Sequence, residues 1–153
     1  MLDILTPLSK LTRVSRSIGD TAAFTGVVPG IWGQIESDGS INKVANGSAL
    51  LVFKLIINSA SDSKYESQDV EVGRIATLES PGARCKVSSV GYTGSIAAGD
   101  DLIVSTTSGE NGKLKTVPVA AGTYVVVARC EQVNSSEGWV LFETISPRTV
   151  VVS

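Results

Sequence analysis

The stretch Ile31-Trp32-Gly33-Gln34-Ile35-Glu36-Ser37-Asp38-Gly39-Ser40-Ile41-Asn42-Lys43-Val44 decides the fold class. Apolar and polar character alternates from Ile31 to Glu36, Asp38-Gly39 supplies a turn, and Ile41 to Val44 alternates back. A period of two marks a strand whose faces meet different surroundings, and Asp-Gly suits the two positive-φ positions of a type I′ turn. The segment reads as a β-hairpin.

Outward from it the same grammar recurs. Ala49 to Ile57 reads as a strand buried on both faces, and Asn58 to Lys64 as a polar loop without an apolar anchor, pointing outward. Val70, Val72, Arg74 and Ala76 alternate against Glu71, Gly73, Ile75 and Thr77, Pro81-Gly82 turns the chain, and Ala83, Cys85 and Val87 form the inward set of a returning strand. Gly99-Asp100 introduces Leu102 to Ser105, Asn111-Gly112 turns into Lys113 to Val117, and three strands follow at Thr123–Gln132, Trp139–Ile145 and Thr149–Val152. Twenty Val and 11 Ile against three Gln and one Met fit this reading, because β-branched side chains pack well on a pleated surface. The expectation is an all-β chain, a single small β-barrel or sandwich of about ten short strands over residues 19–153.

Residues 1–18 read differently, as an N-terminal arm or short helix. Thr6-Pro7 has the form of an N-cap and first helical position, with Leu8, Leu11, Val14 or Ser15, and Ile18 at helical spacing. Ser9, Thr12, Ser15 and Ser17 are poor helix formers, so an extended arm fits equally. Leu2, Ile4, Leu5, Leu8 and Leu11 are too apolar for a free tail, and Lys10, Arg13 and Arg16 cluster positive charge. Such an arm lies on its own domain or on a neighbouring subunit.

The chemistry on offer is thin. The 153 residues hold no histidine, which removes Ser-His-Asp triads, Cys-His dyads and His-ligated zinc. Thirteen basic against 15 acidic residues argue against a nucleic-acid partner, since neutralising phosphates takes clustered Lys and Arg. Asp100-Asp101 and Glu110 match no calcium-loop spacing and read as a solvated turn, so no metal is expected, and with no Gly-rich phosphate loop no cofactor is expected either. No apolar run is long enough for a membrane-spanning helix, and the first residues lack the pattern of a signal peptide. Cys85 and Cys130 sit between charged neighbours, in Arg84-Cys85-Lys86 and Arg129-Cys130-Glu131, and read as buried thiols. Trp32 and Trp139 each adjoin a glycine; they serve either as a surface platform, for sugar stacking or an interface, or as core packing.

From about Asp69 to the C-terminus the chain resembles the capsid decoration, or cement, proteins of tailed bacteriophages. The resemblance is carried by Ala98-Gly99-Asp100-Asp101-Leu102-Ile103-Val104-Ser105, Gly112-Lys113-Leu114, Gly122 to Glu131 and Trp139 to Pro147. It implies a non-enzymatic virion protein, made in the host cytoplasm, that binds the outer capsid surface and stabilises contacts between capsomers. The partners implied are the major capsid protein and further copies of the chain, as a homotrimer. On that reading Leu5, Leu8, Leu11, Arg13 and Arg16 are the capsid or subunit contacts, and removing residues 1–18 abolishes shell binding while sparing the β fold. The alternative is a carbohydrate-binding or adhesion module built on Trp32 or Trp139.

Overall fold

The computed structural model describes residues 2–19, 29–47, 52–57 and 74–153. In chain order the strands are β1 (Leu2–Ile4), β2 (Arg13–Ser17), β3 (Trp32–Ile35), β4 (Ile41–Lys43), β5 (Phe53–Ile56), β6 (Arg74–Leu78), β7 (Arg84–Ser88), β8 (Asp101–Val104), β9 (Leu114–Thr116), β10 (Gly122–Asn134) and β11 (Trp139–Val152). The helical element among the described residues is a 3₁₀ turn, Leu8–Lys10. The strands form two antiparallel sheets, one ordered β1-β7-β11-β10-β8-β9 and the other β2-β6-β5-β3-β4. Of the two architectures expected, this is the sandwich, since neither sheet closes on itself.

Period-two alternation explains why the sheets stack. The six-stranded sheet turns Cys85, Val87, Leu102, Val104, Leu114, Ala128, Cys130, Val140 and Phe142 inward, and the five-stranded sheet answers with Trp32, Phe53, Leu55, Ala76 and Leu78. Burying Phe142 alone contributes about 1.5–3 kcal/mol by removing its ring from water. Ile41, Ile56 and Ile75 form a second, smaller cluster, with Ile18 and Ile35 packed against it. These belong to the opposite pleat, so the five-stranded sheet is apolar on both sides.

The deciding hairpin is present, with Ile35 opposite Ile41, but its turn differs from the expected two-residue type I′. The Gly39 N–H donates to the Glu36 carbonyl, so Ser37 and Asp38 are the central residues, and Gly39 follows at φ +82°. That is the three-residue loop in which a left-handed residue closes a type I turn as a bulge. The Asp38 carboxylate accepts the Ser40 N–H at 2.9 Å, which fixes the loop locally and, with the Ser40 hydroxyl, holds the carboxyl below its ordinary pKa.

The last two expected strands are one. β11 runs 14 residues, through Ser146-Pro147, and pairs with β10 along its length. Thr144 opposes Ala128 and Arg148 opposes Val126, so Ile145, Ser146 and Pro147 face Val127 alone. The irregularity absorbs the proline, which has no N–H to give a ladder. Residues 49–51 of the strand expected at Ala49–Ile57, the loop at Asn58–Lys64 and positions 70–73 lie outside the described residues.

Candidate functional site

The N-terminal segment lies on its own domain, joining both sheets. β1 pairs with β7, Leu2 opposite Val87 and Ile4 opposite Cys85. The Leu5 N–H donates to the Arg84 carbonyl at 2.8 Å, and the Arg84 N–H donates to the Thr6 hydroxyl at 2.8 Å. The 3₁₀ turn then carries the chain across to the second sheet, where the Thr12 N–H meets the Ser80 hydroxyl and β2 pairs with β6 from Arg13 opposite Leu78 to Ser17 opposite Arg74. Leu2, Ile4 and Leu11 pack against the main core. Residues 2–17 therefore carry an edge strand of each sheet, β1 and β2, so this segment is part of the β-sandwich as well as an arm upon it.

The five residues expected as contacts separate into different roles. Leu5 is 53% exposed, on a backbone hydrogen-bonded to β7. Leu8 opens the 3₁₀ turn, and Leu11 is occupied in core packing. Arg13 is exposed at the start of β2. Arg16 is committed internally: its Nη2 lies 2.7 Å from Glu79 Oε1, its Nη1 donates to the Gly39 carbonyl at 2.9 Å, and its Nε reaches Thr77 Oγ1. Lys54 Nζ takes the other Glu79 oxygen at 2.7 Å. Burial raises the Glu79 pKa, but hydrogen bonds from Lys54 and Arg16 outweigh it and leave the carboxyl below its ordinary 4.5.

The two tryptophans part company. Trp32 is 5% exposed in the core, which rules it out as a surface platform and corrects that assignment. Its Nε1–H has no acceptor among the described residues, and the ring borders a crevice of about 110 Å³ between the sheets, beside Lys54, Glu79 and Thr144. Trp139 is partly exposed, but Lys86 Nζ lies 4.6 Å from its ring centroid and its Nε1–H donates to Glu137 at 2.6 Å. A cation already sits over one face of the ring.

The acidic residues singled out by sequence each have a partner of their own, Asp100 just before β8, Asp101 at its first position and Glu110 in the turn ahead of β9. Asp100 accepts the Ala97 N–H, Asp101 pairs with Arg148, and Glu110 accepts the Thr93 hydroxyl at 2.7 Å. Among the described residues no group of three or more His, Cys, Asp or Glu is placed to hold a metal ion. Cys85 and Cys130 are both free and buried, and both oppose Phe142 from opposite sides of β11. Two strand spacings, about 9–10 Å, separate their backbones, beyond the roughly 7 Å limit for a disulfide.

Sequence reading missed the long β10–β11 ribbon. Its outer part, Gly122–Val126 against Arg148–Val152, extends past the last pairing of β11 with β7, at Glu143 opposite Arg84. The unbroken Val150-Val151-Val152 run is its signal in the sequence, and it continues β11 instead of forming a strand of its own.

Fold and surface together define an antiparallel two-sheet β-sandwich with an N-terminal segment laced into both sheets. No family model, curated protein or solved structure matches the chain.

Proposed function

We propose that the chain is a non-enzymatic structural protein of a tailed-phage virion, bound outside the assembled capsid to the major capsid protein and to further copies of itself, where it stabilises contacts between capsomers. The observation that supports the reading is that most of the stretch resembling cement proteins builds one sheet, its first strand, β6, pairing instead with β2 and β5 in the other. Strands β7 to β11 all come from it, and they form one sheet completed by β1. A clamp requires a stiff frame and several simultaneous contacts, and needs no reacting group. On this reading the exposed Leu5, on the N-terminal segment beside that sheet, supplies an apolar contact to a neighbour.

The test is co-sedimentation of the full chain with assembled tailed-phage shells lacking their outer proteins. The expected result is saturable pelleting that weakens in Leu5→Asp, a surface change that leaves the core intact. A chain that stays in the supernatant overturns the proposal. Sugar binding on a glycan array, lost in Trp139→Ala, would favour the carbohydrate module instead.

A further inference from the structure

The sequence holds two Asn-Gly dipeptides, Asn46-Gly47 after β4 and Asn111-Gly112 ahead of β9, and the fold brings them together. The Asn111 Nδ2–H donates to Asn46 Oδ1 at 2.7 Å, so the two amides bridge loops that leave different sheets. In an Asn-Gly dipeptide the backbone nitrogen of the glycine reaches the preceding side-chain amide with least obstruction, because glycine has no Cβ and adopts the required backbone geometry freely. Two copies of one motif in one molecule isolate what the fold adds to that chemistry.

Each attacking nitrogen is held by a carbonyl across its loop. The Gly47 N–H donates to the Thr106 carbonyl and the Gly112 N–H to the Ser105 carbonyl, both at 2.9 Å. Their surroundings differ. Asn46 and Gly47 are exposed, and a Cβ at Gly47 would have nothing within 4 Å. Asn111 is half-buried and Gly112 buried, and the Gly112 carbonyl also accepts the Trp32 N–H at 2.8 Å. Freeing Gly112 therefore disturbs the backbone of β3, whereas freeing Gly47 lifts an exposed turn, and local openings of that kind lie at the low end of the free energies a folded chain spans.

We propose that Asn46 is a self-deamidation site, restrained by Asn111 and Thr106 and reacting when its turn lifts, while Asn111 is protected until the sandwich opens. The Gly47 nitrogen bonds to Asn46 Cγ, the Cγ–Nδ2 bond breaks, and ammonia departs with the proton from Gly47. Water then opens the cyclic imide at either carbonyl, leaving aspartate or its isomer with the main chain routed through Cβ. Either product places a carboxylate beside Asn111, and the isomer inserts an extra main-chain carbon that shifts the Gly47 N–H from the Thr106 carbonyl. The reaction is independent of the shell reading.

The test is incubation of the full chain in mildly alkaline buffer, native and in concentrated urea, with peptide mass mapping for the exchange of ammonia for water and enzymatic labelling of isoaspartate. The native chain is expected to react at Asn46 about tenfold or more faster than at Asn111, and the two positions to react at comparable rates in urea, where the shared dipeptide alone sets the chemistry. Asn111→Ala, with an unchanged circular dichroism spectrum, should quicken native Asn46 severalfold. Native Asn111 reacting as fast as Asn46, a lead for Asn46 that persists in urea, or an Asn46 rate unchanged in Asn111→Ala overturns the inference. So does a native chain that gains nothing at Asn46 in the time the urea sample takes to convert.

Discussion

Arg16 and Glu79 face each other on the five-stranded sheet with guanidinium and carboxylate 2.7 Å apart, and the same guanidinium holds the Gly39 carbonyl of the β3–β4 turn. The pair thus ties the laced-in N-terminal segment to the deciding hairpin. Replacing Arg16 by Ala is expected to cost about 1–2 kcal/mol in urea unfolding, less than a fully buried charged pair because Lys54 stays on Glu79. An unchanged midpoint together with weaker particle binding would assign Arg16 to a partner.

Glu79 gives the fold an acid limit. Its carboxyl is depressed in the folded chain, so the unfolded state binds the proton more readily, and the stability it contributes is present above about 4.5 and lost as pH falls through the lower folded value. Stability measured from pH 6 downward should therefore decline more steeply in the parent than in Glu79→Gln, with the two curves converging at low pH. Parallel curves would remove Glu79 from the acid response.

The thiols should be silent until the sandwich opens. Burial pushes Cys85 up to about 12 and raises Cys130 as well, so little thiolate exists near neutral pH and neither sulfur is accessible. Ellman's reagent is expected to titrate no thiol in the native chain and two after denaturation. One native thiol reacting within seconds would contradict the placement of its strand.

Gly112 joins the sheets through its backbone. The Trp32 N–H donates to its carbonyl at 2.8 Å, its φ is +84°, and a Cβ there would stand 2.5 Å from the Trp32 carbonyl oxygen. Gly112→Ala should lose roughly 1–3 kcal/mol from the left-handed conformation alone, with the collision adding to it. Thermal unfolding within a degree of the parent would show that this loop can move aside.

Much of the architecture was legible because alternation is a direct record of which pleat faces the core. The β3–β4 hairpin, the inward sulfurs of Cys85 and Cys130, and the strands around Leu102 and Leu114 followed from that rule. Errors arose where a local pattern had two solutions. Asp38-Gly39 suits both a two-residue and a three-residue loop, and only the Gly39-to-Glu36 hydrogen bond separates them. Ser146-Pro147 ends most strands, yet here the chain bulges and continues. Residues 1–18 were hardest, since a three-residue strand and a 3₁₀ turn leave no periodicity to read, and Arg16 looks identical in sequence whether its carboxylate partner is its own Glu79 or another molecule's.

The strap also sets a clock on maturation. Thr12 bonds to a residue 68 positions later and Thr6 to one 78 positions later, so β1 and β2 have no mate until about half of the chain has been made. Until then both strands wait unpaired, with the apolar Leu2, Ile4 and Leu11 uncovered, and closing such long loops is slow compared with forming local hairpins. The N-terminal edge of each sheet is consequently completed only after β6 and β7 exist, and until then the bare segment is open to pairing with the wrong partner.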